Sequence, residues 1–164
     1  MREIPLGAGR VAIVDDEDFA ELSRFTWHYT AGRGPEKGYA ARWVKAEGRP
    51  RQRRVYMHKQ IVGAEHSQKV DHADRDSLNN RRKNLRPCTN AQNNANKVQP
   101  RAIVPYRGVQ KLNRGGWQAK IRFGGRKHCL GSWPTPEEAA RAYDDAARRE
   151  HGPFAIVNFQ AEAA

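Results

Sequence analysis

The chain has 164 residues, of which 38% are hydrophobic and 29% charged, with a formal net charge of +12 and a pI near 10.2. That length holds one ordinary domain or two small ones, and the Trp, Tyr, Phe, Ile and Val content excludes wholesale disorder. The excess of Lys and Arg draws polyanions, with nucleic acid first among them.

No stretch reaches the roughly 18 apolar residues of a membrane span, and the first nine residues lack the apolar run of a signal peptide, so a cytoplasmic site is expected and a membrane partner is not. Cys88 and Cys129 lie far apart, and the six histidines form no helix-spaced pair. These spacings exclude a disulfide framework and lend a zinc site little support.

In chain order, the β-branched run 11–14 predicts a strand, and the acidic run Asp15, Asp16, Glu17 and Asp18 after it predicts an N-capped short helix. Residues 27–30 and 39–44 read as an antiparallel pair of strands joined by a turn containing Gly32, Gly34, Pro35 and Gly38. A dense positive stretch covers 49–54, and the spacing of Met57, Ile61 and Val62 suits a short helix against a sheet. From Val70 to Val98 the chain holds an Asp-rich loop, a basic run and seven asparagines between Asn79 and Asn96, a density of polar side chains that rarely serves a core. Residues 100–105, bounded by prolines, read as a linker between a domain over 1–99 and a second over 106–160.

In the second domain, 106–110, 117–123 and 127–130 are strand-like and 136–151 is a single helix. The expected fold class is α+β: a mixed N-terminal domain, then a three-stranded antiparallel sheet packed on one helix. Ala139, Ala142, Tyr143, Ala146 and Ala147 recur at helical spacing and let the sheet approach closely.

Chemistry concentrates in Val70-Asp71-His72, the loop through Asn80, Asn84-Leu85-Arg86, and Asn93 on an expected helix over 91–97. Neighbouring residues on a strand face opposite ways, so Asp71 and His72 serve one site only at a strand end or turn. Singly, each has an ordinary alternative: a surface histidine, a turn aspartate, asparagine caps. Jointly, and flanked by Arg81, Arg82, Lys83 and Arg86, they favour a functional site over those ordinary roles.

The ordered series Met57-His58, Val70-Asp71-His72, Leu78-Asn79-Asn80-Arg81, Asn84-Leu85-Arg86, Cys88-Thr89 and Gln92-Asn93 resembles the HNH, or ββα-metal, nucleases of phage and intron homing type. The resemblance implies His72 as general base, Asn84 holding the base or loop, and Asp71 and Asn93 as ligands of a divalent metal, Mg²⁺ or Mn²⁺. It places the protein in a bacterial or phage-infected cell. His58 either supports the site or caps the packing of its helix. Relatives usually carry glycine after the loop aspartate, whereas Arg75 follows Asp74 here.

Between Arg101 and Trp133 stand eight Lys or Arg and no acid. Alternation puts Trp117, Ala119, Ile121 and Phe123 on one face and Gln118, Lys120 and Arg122 on the other. Tyr106-Arg107-Gly108-Val109, the 117–122 strand, Leu130-Gly131, the 137–144 helix segment and Asn158-Phe159 resemble the AP2/ERF domain. That resemblance implies major-groove contacts from Arg107, Gln110, Arg114, Lys120, Arg122 and Lys127, with Arg101 and Arg126 on phosphate. Gln110, Leu112, Lys127 and Cys129 replace residues of the plant relatives, so the plant recognition sequence does not carry over.

The resulting expectation is a site-specific endonuclease on double-stranded DNA that nicks as a monomer or cuts both strands as a homodimer. The competing expectation is a DNA-binding regulator on a degenerate nuclease scaffold.

Overall fold

Strands β1 (Arg2–Gly7) and β2 (Arg10–Val14) pair antiparallel and open a chain that divides into two units, Met1–Thr89 and Asn90–Ala164. The computed structural model describes residues 1–32, 38–45, 52–65, 67–96 and 104–160. Gly34 and Pro35 of the expected turn, Arg49 and Arg51 of the basic stretch, Lys97 at the end of the expected helix, Arg101 and most of the expected linker lie outside them.

In the first unit, helix α1 (Asp16–Leu22) follows β2 directly. Asp15 stands at its N-cap but its carboxylate makes no cap hydrogen bond. It accepts instead from Arg81 Nε at 3.0 Å and from the Arg82 backbone N–H at 2.8 Å, which corrects the capping expectation. The guanidinium is the stronger donor, and it ties the start of the helix to the distant 81–82 segment.

Strands β3 (His28–Ala31), β4 (Gly38–Lys45) and β5 (Gln52–Tyr56) form an antiparallel sheet in that order. Both β1 and β5 escape the sequence reading, because Pro5 and Gly7 break the pattern of one and consecutive arginines mask the other. Helix α2 (Met57–Ile61) leaves β5 without a gap. Ile4, Leu6, Val14, Leu22, Trp27, Ala40, Met57, Ile61 and Leu85 fill the core between these pieces. Its apolar surface, removed from water, supplies the main stabilisation of the unit.

Strands β6 (Lys69–His72) and β7 (Leu85–Cys88) pair antiparallel around the Asp-rich loop and a 3-10 turn over Arg82–Asn84. The loop is strapped to the N-terminal hairpin, since Ile13 N–H donates to Leu78 C=O at 2.9 Å and Asn80 N–H to Ile13 C=O at 2.7 Å.

The second unit contains helix α3 (Asn90–Ala95) and an antiparallel sheet of β8 (Val109–Lys111), β9 (Trp117–Phe123) and β10 (Arg126–Trp133), with β9 central. Helix α4 (Pro136–His151) packs on it through Ala139, Ala140, Tyr143, Ala146 and Ala147 against Val109, Ala119 and Ile121. Ala140 joins the buried set and Ala142 is only half-buried. Thr135 and Glu138 close a capping box at the helix start, with Pro136 in the first turn.

The first strand of this sheet is shorter than expected, because Gly108 has a φ of +76° and turns the chain before β8 begins. A Cβ at Gly108 would stand 2.1 Å from the Tyr143 ring, so only glycine fits there. Buried Asp144 accepts from Asn158 N–H at 2.7 Å and Phe159 N–H at 2.8 Å, fastening the C-terminal segment to the helix.

Candidate active site and nucleic-acid interface

Asp71 and His72 are the last two residues of β6, and both are buried. A turn follows at once: Arg75 N–H donates to His72 C=O at 2.9 Å, and Ala73 N–H to Asn84 C=O at 2.9 Å. Arg75 takes a φ of +70°, the left-handed conformation that the usual glycine would adopt freely. Arg75→Gly is therefore expected to stabilise the first unit by about 0.5–1 kcal/mol, the relief of strain exceeding the added freedom of the unfolded chain. A thermal melt reads the gain as a raised midpoint, and a lowered midpoint would contradict the strain argument.

The loop beyond the turn is held by side chains. Asp74 accepts from the Asp76 backbone N–H at 2.8 Å, from Asn79 Nδ2 at 2.6 Å and from Asn84 Nδ2 at 2.8 Å. These donors hold its carboxyl below the usual carboxylate range against the opposing effect of burial, the largest single influence. Asn84 is the hub: its Oδ1 accepts from Asp74 N–H at 2.9 Å, while its Nδ2 also donates to Asn79 C=O at 2.7 Å. Asn80 is wholly buried beneath the loop. The asparagines read as ordinary loop formers thus include the loop's interior scaffold.

Two rings stand beside the His72 imidazole. His58 lies edge-on with centroids 5.1 Å apart, and Tyr39 lies at 6.2 Å. Tyr56 stacks on His58 at 5.6 Å, and Tyr39 meets His58 at 5.3 Å. Burial pushes the His72 imidazole below its ordinary value, opposed by a hydrogen bond that the ring donates to the Asn80 side chain and by the charges of Asp74, Asp71 and Asp76. A neutral imidazole results, the form that can accept a proton.

His58 is pushed down further, to about 3, first by burial and then by His72 and Lys59. Since its folded value lies below the unfolded value of about 6.5, the unfolded chain takes up the proton first. The associated stability is complete above the unfolded value and is lost as pH falls toward the folded one. Between pH 7 and pH 5 this single group is expected to remove about 2 kcal/mol, and His58→Phe to flatten the urea midpoint over that range. An unchanged slope in the variant would show that another group carries the dependence.

Asp71 lies opposite Arg86 in the β6–β7 ladder, and its Oδ2 accepts from the Arg86 guanidinium. Among the described residues no group of three or more His, Cys, Asp or Glu is placed so that it could hold a metal ion by itself. A buried carboxylate with an amide oxygen is the donor chemistry of a hard divalent cation that keeps water or phosphate oxygens as its other ligands. Such an ion would share Asp71 with Arg86. Asp71, His72 and Asn84 therefore stand together in the first unit, whereas Asn93 stands on α3 in the second. Sequence reasoning missed Tyr39 and Tyr56 as parts of the site, and it gave Asp74, Asn80 and Arg86 no individual role. Register can identify only Arg86, paired across from Asp71.

In the second unit, Gln110, Gln118, Lys120, Arg122, Lys127 and Cys129 occupy the sheet face away from α4. Gln110 donates to Gln118 at 3.1 Å, and Arg114 stands exposed in the β8–β9 turn. Arg122 and Lys127 lie directly opposite one another. Like charges so placed repel, and a polyanion relieves them. Arg107 differs: its Nε donates to the Tyr143 hydroxyl at 2.7 Å and its Nη2 to Ala95 C=O at 3.0 Å, so its guanidinium is engaged within the unit.

Residues 55–95 match the HNH endonuclease family model. The matched segment runs from the end of β5 through α2, β6, the asparagine-held loop, β7 and α3. An HNH endonuclease of Acanthamoeba polyphaga mimivirus is 36% identical over 89 residues, covering 54% of this chain and 46% of the viral protein. Toward the C-terminus the similarity is to plant AP2/ERF proteins. The dehydration-responsive element-binding protein 2A of Oryza sativa subsp. indica is 55% identical over 56 residues, 33% of this chain and 20% of that protein. An ethylene-responsive transcription factor of Arabidopsis thaliana is 48% identical over 62 residues, 37% of this chain and 24% of that protein. The chain thus spans about a fifth of the rice protein's length and just under half of the viral protein's. A segment that matches the HNH endonuclease model is thus followed by a sheet and helix in the part of the chain that is similar to the plant proteins. No helix among the described residues is long and apolar enough to cross a membrane.

Proposed function

We propose that the protein is a site-specific DNA endonuclease of homing type, in which the HNH segment hydrolyses a phosphodiester and the AP2/ERF-like sheet supplies the address. The observation that carries this reading is the Asp71-His72 pair at the end of β6, closed by a loop hung on Asn84, inside the residues that match the HNH family.

In the proposed mechanism, neutral His72 takes the proton of a water as that water attacks phosphorus and the 3′ oxygen leaves. Burial among Tyr39, His58 and the loop keeps the imidazole neutral and limits its motion. Asn84 holds the loop that follows the base. A divalent cation, Mg²⁺ or Mn²⁺, with the Asp71 carboxylate as a ligand, would supply charge neutralisation at the phosphate and the leaving oxygen. The proposed DNA contacts are Gln110, Arg114, Lys120, Arg122 and Lys127, with Arg107 joining only if it releases Tyr143. One site cuts one strand, so a monomer nicks, and breakage of both strands requires a homodimer or two successive events.

Incubation with a randomised duplex library, followed by sequencing of the cut ends, tests the reading. A recurring sequence at the ends is expected, and Arg122→Ala should blur it, since loss of a base-reading pair costs about 1–3 kcal/mol of discrimination. Ends scattered without preference would defeat site-specific cleavage. A second reading, a non-cutting DNA-binding regulator, draws on the plant relatives, which are named as a transcription factor and an element-binding protein. It would be favoured if the library were bound selectively and never cut.

A further inference from the structure

Alternate residues of β4, namely Tyr39, Ala41, Trp43 and Lys45, share the face opposite Ala40, which is in the core. On that outer face Trp43 is 53% exposed, and Met1 is the sole other large hydrophobic side chain so exposed among the described residues. Arg54 lies directly across from Trp43 in the β4–β5 ladder, its guanidinium 4.7 Å over the indole. From there contacts run inward without a break. Arg54 Nη1 donates to the Tyr56 hydroxyl at 3.5 Å, Tyr56 stacks on His58 at 5.6 Å, and His58 meets His72 at 5.1 Å. Strands β3, β4 and β5 hold Arg42, Lys45, Arg53 and Arg54 and no acid.

We propose that this outer face is a second DNA-binding surface, belonging to the first unit, which holds the duplex beside the phosphate presented to His72. The inference rests on the nuclease reading and deepens it, because the surface begins at the candidate base and ends at an exposed indole. Arg54 and Lys45 match phosphates, and Trp43 offers an apolar plate for sugar or base. A guanidinium over an indole presents both functions at one point, and the absence of acid from the three strands excludes a cationic partner. Lone exposed aromatics are common, but this one is joined to the site by an unbroken series of contacts.

Fluorescence anisotropy of the full chain on a short random-sequence duplex, over a range of salt, tests the surface. Trp43→Ala should raise Kd by roughly 5- to 30-fold, the range for truncating an aromatic anchor at an interface, and Trp43→Phe should recover most of it. Arg54→Ala should weaken binding and reduce the slope of log K against log salt by about 0.9, the loss of one phosphate contact. Arg24→Ala, which removes the same charge from an exposed site off this face, should stay within about twofold of wild type. Matching thermal melts exclude misfolding of Trp43→Ala. Wild-type affinity in both Trp43→Ala and Arg54→Ala, or an equal loss in Arg24→Ala, would overturn the proposal. The nuclease reading fails separately: a wild-type chain that binds the duplex but never nicks plasmid sinks that reading, and the anisotropy series still decides the surface.

Discussion

His72→Ala is expected to lower the rate of DNA nicking by about 100- to 10,000-fold, the usual contribution of a positioned general base. The expectation follows from where the imidazole sits. It ends a strand, is buried, and is held neutral chiefly by desolvation against three surrounding carboxylates. Removing the ring deletes its bond with Asn80 but leaves the loop's hydrogen bonds between Asp74, Asn79 and Asn84 intact. The loss should therefore appear in the rate with little change in the urea midpoint. A rate close to wild type would show that another group takes the proton.

The second large effect concerns stability as well as rate. Asn84→Ala deletes three hydrogen bonds at a buried position, one of them to the Asp74 carboxylate, and strands the partners they served. A loss of about 3–5 kcal/mol is expected, because unsatisfied buried groups cost more than the bonds are worth net. Asn84→Asp should be at least as damaging, since a carboxylate cannot donate to Asp74 and repels it. Urea midpoints of the two variants check this order. An Asn84→Asp protein as stable as wild type would mean that the amide does not organise the loop.

The features legible in the sequence were those with a local cause. Helix α4 announced itself through Pro136 at its start and alanines at helical spacing, and β9 through strict alternation. Asp71 and His72 were readable as a strand end because adjacent strand residues face apart. The features that escaped depend on partners distant in sequence. Strand β1 holds its place by pairing with β2 despite Pro5 and Gly7. Asp15 has a capping residue's character, yet its partners are Arg81 and Arg82. Asn80 and Asn84 resemble surface loop residues until the hairpin and the 3-10 turn close over them. Arg107, expected on DNA from the AP2/ERF resemblance, carries bonds to Tyr143 and Ala95 that no local pattern foretells. Arg75 is the opposite case: the missing glycine was visible in the sequence, and the φ of +70° marks the strain it leaves.

The most direct test of the account is the conversion of supercoiled plasmid to open circle by the full chain with Mg²⁺, with Mn²⁺ and with EDTA. The account expects nicking with one or both metals, none with EDTA, and almost none from His72→Ala under any condition. Plasmid that remains supercoiled with every metal tried, or that is nicked equally by wild type and His72→Ala, would contradict it.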